Sequence, residues 1–242
     1  LTNLCRWQNP CEGHPANGTR GEVESGTVCG VDEIFISIIP MSLNAIQLKR
    51  RSGEESFLFE NKDIAKLLDF WQWSFSNHMD NVLRGALAEF IVGRALDILP
   101  ADVVRKNWEA WDLETKSGLK LEVKSAAYLQ WWFQQKCSNI AFDIKPRTKW
   151  DPETNTYDKA IKRRADVYVF CLFTDQKNKE SANPLNLNGW AFYVVETDRL
   201  LQEHLDATSV KLSTVKELSG ECFNFRTLKN KVQQIEDARK KS

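Results

Sequence analysis

The chain has 242 residues, enough to bury a substantial core without disulfides or a structural metal. Its 33 Lys and Arg balance its 33 Asp and Glu, so no global field draws it to nucleic acid or to an anionic membrane, and any polyanion site must be a local patch. Six cysteines, at 5, 11, 29, 137, 171 and 222, are too scattered for a disulfide framework, and no apolar run approaches the roughly 18 residues of a membrane span. A reducing cytoplasm is the expected setting. Because it opens at Leu1, the sequence reads as a fragment or a processed chain.

Residues 1–30, rich in Gly, Asn, Pro and Thr, read as an irregular arm. Cys5, Cys11, His14 and Cys29 have the residue types of a zinc site, but the first spacing exceeds the usual two to four residues, so structural zinc is not expected. Residues 31–76 form an accessory region. Three short β-like runs, Ile34–Ile39, Ala45–Leu48 and Ser56–Phe59, are broken by Pro40 and by Arg51-Ser52-Gly53-Glu54. Asp63 then caps a helix with Ile64, Leu67, Leu68, Trp71 and Phe75 on one face, packed against the next helix of the chain.

A core of residues 77–196 begins with a helix from Asn77 to Leu99, capped by Ser76 and ended by Pro100. Its apolar residues, from Val82 to Ile98, leave almost no polar face and predict burial of most of the helix. Glu89 stands out there, one turn from Gly85 and from Gly93, glycines that would let another backbone approach. A buried carboxylate needs a partner. Two readings stand: a salt bridge to Arg84 or Arg94, or a role at a metal.

Trp111–Lys124, WDLETKSGLKLEVK, reads as a hairpin whose loop is Lys116-Ser117-Gly118, with Gly118 left-handed. Asp112 then falls opposite Glu122. Asp112 and Glu114 share a face with Lys120, Glu122 and Lys124, while Trp111, Leu113, Leu121 and Val123 take the core face. Like charges directly opposed destabilise a sheet, so the two carboxylates call for a cation, which an oxygen-ligated divalent metal beside Lys124 supplies. The alternative is a solvated hairpin with one wet face.

Beyond the hairpin lies the aromatic stretch Tyr128-Leu129-Gln130-Trp131-Trp132-Phe133; Ser125 and Gln130 are within reach of hydrogen bonds near the site, and Trp131 and Trp132 either stack on unpaired bases or pack in the core. Ser138–Ile144 alternates as a half-buried strand, a short helix lies near Tyr157–Arg164, and Ala165–Phe173 is apolar enough for a strand covered on both faces. Gly189–Glu196 is another strand. In the helical extension of residues 197–242, Thr197 and Ser213 cap helices, and the charged stretch Thr227–Lys240 reads as a solvated helix.

Residues 77–173 resemble the PD-(D/E)XK, restriction-endonuclease-like nuclease superfamily: a helix carrying Glu89, a hairpin carrying Asp112 and then Glu122-Val123-Lys124, a third strand, a helix and a fourth strand. Trp111 stands where that signature has proline. The resemblance implies an α/β fold with a mixed central sheet and flanking additions, and Mg²⁺- or Mn²⁺-dependent hydrolysis of phosphodiesters, DNA favoured, in restriction, defence or repair. By the same resemblance Asp112, Glu122 and Glu89, with the Val123 carbonyl, hold the ion, and Lys124 serves the attacking water. Lys145, Arg147 and Lys149, with Lys159, Lys162, Arg163 and Arg164, are the residues suited to phosphate contacts. A homodimer is compatible with this reading. The competing functions are a non-catalytic nucleic-acid-binding domain and a protein-interaction domain on the same fold.

Overall fold

The computed structural model describes residue 43, residues 45–106 and residues 109–241. The arm, the four residues Cys5, Cys11, His14 and Cys29, and the run Ile34–Ile39 lie outside the described residues; residues 45–48 carry no strand.

The described chain opens with a hairpin, β1 (Ser56–Phe59) and β2 (Lys62–Lys66). Glu60 and Asn61 connect them with φ of 49° and 62°, the two left-handed positions of a tight hairpin turn. That turn folds residues 62–66 back on β1, so the expected helix at Asp63 starts instead at Leu67 (α1, Leu67–Phe75), where the Lys66 N–H donates to the Asp69 carboxylate at 2.7 Å. None of the residues of α1 is buried; its rings pack back on its own hairpin, with Phe70 6.4 Å from Phe57.

Helix α2 (Asn81–Leu96) is shorter than expected at both ends. Asp80, rather than Ser76, is the cap, accepting from the N–H groups of Val82 and Leu83. Asp97, left-handed at φ 59°, ends the helix before Pro100 is reached. Burial is also narrower: Arg84, Ala88, Ile91, Val92, Gly93 and Leu96 are buried, whereas Val82 and Phe90 face outward.

The central sheet has four strands in the order β3 (Leu113–Glu114), β4 (Lys120–Ala127), β8 (Val167–Phe173), β9 (Trp190–Glu196). β3/β4 and β8/β9 are antiparallel and β4/β8 is parallel, so the expected α/β class with a mixed central sheet holds. Two elements differ from expectation. The run Ser138–Ile144 yields only β5 (Ala141–Asp143), which leaves the central sheet to pair with β10 (Ser209–Lys211). The stretch Tyr157–Arg164 is not helical: β6 (Trp150–Asp151) and β7 (Thr156–Tyr157) form a small hairpin, and a bridge joins Arg147 to Lys162. Parallel strands need a long connection but not a helical one, and here the crossover from β4 to β8 is built of these short pieces.

Alternation along β4 and β8 divides the interior into two cores. Leu121, Val123, Ala127, Val167, Val169, Cys171 and Phe173 face α2 and the last helix, α5 (Leu228–Arg239). Ala126, Tyr168, Phe170 and Leu172 face β5, α3 (Thr197–His204) and α4 (Leu212–Ser219). Thr197 is not the cap of α3; buried, it donates its hydroxyl to the Ala165 carbonyl at 2.7 Å. The cap position of α4 is Lys211, not Ser213. Nor is α5 wholly solvated, because Leu228, Val232 and Ile235, spaced four and three apart, are buried in the first core.

Candidate active site

The hairpin has the expected register, with Leu113 opposite Leu121, Glu114 opposite Lys120, and Gly118 at φ 88° in the loop. The ladder ends at Leu113, and just before it the Asp112 N–H donates to the Leu121 carbonyl at 3.0 Å, so Asp112 stands beside β4 without being paired to Glu122; the charge of Glu122 still acts on it. β3 stops there, so the N–H of Val123 donates instead to the Asp112 carboxylate at 2.7 Å. Trp111 precedes the strand and escapes its alternation: its ring lies under the Lys120 ammonium at 4.2 Å, and its indole N–H reaches Glu114 at 3.1 Å.

Glu122 and Lys124 project from the even face of β4 and pair with each other, Nζ to Oε1 at 2.5 Å, both side chains less than one-fifth exposed. Glu89 comes from α2, on the face formed by Val82, Gly85, Ala86 and Glu89 at helical spacing. Its partner is neither Arg84 nor Arg94. Arg105, from the irregular chain beyond α2, grips both Glu89 oxygens, Nε to Oε2 at 2.5 Å and Nη2 to Oε1 at 2.6 Å. Arg84 is buried elsewhere, donating to the Met79 carbonyl, Asn81 and Gln130. The glycines do not serve close backbone approach: a methyl at Gly85 would meet open space, and one at Gly93 would strike the Leu99 side chain.

All four expected residues line one cleft of about 810 Å³. Its walls are the α2 face, Arg105 to Asp112, the even face of β4 with Tyr168, and the crossover from Lys145 to Arg164. Burial, then the charges of Glu122 and Glu89, push the Asp112 carboxyl up to about 7, against the opposing pull of the Val123 N–H and Lys124. Burial and Glu122 raise Tyr168 as well, which is Glu122's partner in the β4/β8 register. Among the described residues, no three His, Cys, Asp or Glu side chains stand converged on a common metal position. Glu89 is turned to Arg105 and Glu122 to Lys124.

Of the expected basic residues, Lys145, Arg147, Lys162, Arg163 and Arg164 line the cleft, whereas Lys149 and Lys159 are not among its lining residues. Two of the five serve the fold. Arg163 donates to the carbonyls of Ile144, Leu205 and Ala207, and Arg164 to those of Arg147 and Ala160 and to the Asp158 carboxylate. Arg147 and Lys162 lie side by side through their backbone bridge, Arg147 with an exposed side chain 3.4 Å from Asp143. The other neighbours of the site are elsewhere. Ser125 falls on the odd face of β4, its buried hydroxyl unpartnered, and Gln130 is held by Arg84 and the Ala127 carbonyl. Trp131 and Trp132 are exposed rather than packed in a core.

Residues that sequence reasoning missed are Arg105, Lys106, Trp150, Tyr157, Ile161 and Tyr168. Tyr168 had a signal, being one of the even positions of a strand covered on both faces; Arg105 sits in a stretch with no periodicity to place it.

Comparison with protein families decides the broad class: the model of bacteriophage T4 endonuclease IV matches residues 43–213. The chain belongs to the bacteriophage T4 endonuclease IV family. It is therefore a nuclease, with nucleic acid as its substrate. The match to the endonuclease IV family spans the hairpin, the four-stranded sheet and the crossover, and stops at the start of α4, so every cleft-lining residue falls within it while α5 does not. Neither the curated proteins nor the solved structures gave a match. No helix of the described residues is long and apolar enough to cross a membrane.

Proposed function

We propose that this member of the endonuclease IV family is a metal-dependent DNA endonuclease with a PD-(D/E)XK-type site, its catalytic core residues 77–196. One observation carries the reading: Glu89, Asp112 and Glu122 meet in a single cleft, close enough that the carboxyl of Asp112 is pushed up to about 7 by burial and by the other two. A donor set of oxygen anions short of positive charge suits a hard divalent cation. Asp112 and Glu122 would hold Mg²⁺ or Mn²⁺, with Glu89 joining them. Val123 would add its carbonyl, because the N–H and carbonyl of one strand residue point to the same edge, and at Val123 that edge is open beyond β3. Bound there, the ion supplies charge for the non-bridging oxygens and lowers the pKa of a water.

The chain's own residues divide the remaining work. Lys124, tied to Glu122, is placed to orient an attacking water and to offset charge gathering on the phosphate. Lys145, Arg147 and Lys162 hold the backbone of the strand along the crossover wall. A non-catalytic binding domain is the weaker reading, since facing carboxylates repel an anionic ligand unless a cation uses them.

Incubating the purified chain with supercoiled plasmid, linear DNA and RNA, each with Mg²⁺, Mn²⁺ or EDTA, tests the proposal. Internal cuts in DNA that need the metal are expected. Cleavage undiminished in EDTA would sink the metal assignment, and cleavage of RNA alone would sink the substrate.

A further inference from the structure

Glu89 is the carboxylate of the cleft that comes from a helix rather than from the hairpin, and its side chain is only 13% exposed. It is satisfied by a guanidinium presented edge-on, with two donors on two oxygens. The same fork fits the two non-bridging oxygens of a phosphodiester, an anion of similar width and geometry. Arg105 stands at the right place for both: it lines the cleft, its side chain is about half exposed, and the charges of Glu89 and of Asp112 both act on it. The described residues from 98 to 106 form no helix or strand, so no ladder of backbone hydrogen bonds ties Arg105 to one position.

We propose that Arg105 is an exchangeable latch: it closes on Glu89 in the free protein and passes to a substrate phosphodiester, releasing the Glu89 carboxylate toward the cation site. The inference rests on the metal-dependent reading above and deepens it. It accounts for part of the lack of a converged ligand set among the described residues: Glu89 is held by Arg105, as Glu122 is held by Lys124. It also makes substrate and metal cooperative. Each favours the state with Arg105 off Glu89, so each raises the affinity for the other by the same factor.

Calorimetric titration of the full chain with Mn²⁺, alone and with a nuclease-resistant phosphorothioate DNA oligonucleotide, tests the latch. Wild type should bind Mn²⁺ about tenfold more tightly with the oligonucleotide present, within the usual span of such couplings. Arg105→Ala should bind Mn²⁺ more tightly than wild type when alone, show little further gain from the oligonucleotide, and bind the oligonucleotide in Ca²⁺ about tenfold more weakly. Arg105→Lys, which keeps the charge but loses the fork, should fall between the two and decides the matter if the alanine variant does not fold. In the Glu89→Gln background, replacing Arg105 should no longer change Mn²⁺ affinity. If wild type binds Mn²⁺ and Arg105→Ala binds it equally or less well, Arg105 merely positions Glu89 and the latch is wrong. If wild type binds no Mn²⁺ with or without oligonucleotide, the metal-dependent reading fails and the latch with it.

Discussion

The two faces of β4 are built on opposite principles. On the odd face Leu121, Val123 and Ala127 are buried against α2 and α5, and apolar packing holds them there. On the even face Glu122 and Lys124 stand next to a third charge, Asp112, whose carboxyl is pushed up to about 7. The odd face gains free energy by excluding water; the even face keeps charges close together, which a fold selected only for stability would avoid. A single eight-residue strand thus anchors the cleft's charged groups with one set of side chains and stores electrostatic tension in the other.

The sharpest way to break this comparison is to show that the even face matters to stability and not to chemistry. Lys124→Ala should lower the cleavage rate by about 10²–10⁴-fold, the span of a positioned acid or base, while the metal-free protein still folds, with only the loss of melting temperature that unpairing Glu122 entails. Loss of melting temperature with turnover retained would reverse the assignment. The odd face should do the opposite. Leu121→Ala should cost about 2–5 kcal/mol in a denaturant titration, the range for emptying a packed leucine site, and any lost activity should return at lower temperature.

The basic wall offers the same contrast on a smaller scale. Arg163→Ala removes charge-assisted bonds to three carbonyls and should cost on the order of 1.5–3 kcal/mol of stability. Arg147→Ala, whose side chain is exposed, should change stability by less than about 0.5 kcal/mol and instead reduce the salt dependence of DNA binding by about one released counterion. Equal effects of the two on binding and on melting would show that no such division exists.

The last prediction concerns the tension itself. The carboxyl of Asp112 is raised above its unfolded value of 3.8, so the native state binds more protons than the unfolded state between about pH 4 and pH 7. Stability of the metal-free protein should therefore fall as pH rises through that window and level off above it. Asp112→Asn should flatten this slope and raise metal-free stability at pH 8 by an amount between ~0.5 kcal/mol, a cross-strand repulsion, and ~4 kcal/mol, the whole shift. Adding Mn²⁺ should favour wild type over the variant, so that their melting temperatures cross. Two parallel titration curves would show that Asp112 and Glu122 do not act together.

Legibility of the residues tracks the strength of local physics. The hairpin register is readable because Gly118 fixes the loop and strict alternation fixes the faces, and together these set Leu113 against Leu121 and Glu114 against Lys120. β8 is visible because seven consecutive apolar residues leave few alternatives. The crossover is not, since Arg163 and Arg164 reach the carbonyls of Ile144, Leu205, Ala207 and Arg147, 17 to 44 residues away, which no short window of sequence contains. α5 misleads for a related reason: three buried residues among charged ones look like a solvated helix until α2 is there to receive them. In the site, the hairpin residues are legible and Arg105 is not, because tertiary approach alone pairs it with Glu89.

The loop of the β3/β4 hairpin is tied down from far along the chain, where Glu236 of α5 accepts from the hydroxyls of Thr115 and Ser117. Those partners are 121 and 119 residues apart, so their contact closes a long loop and needs nearly the whole chain. On a ribosome, β3 and β4 emerge long before α5 does. The nascent hairpin therefore lacks its anchor until the last helix is synthesised and docked, and a chain released early would carry the motif residues without the frame that aims them.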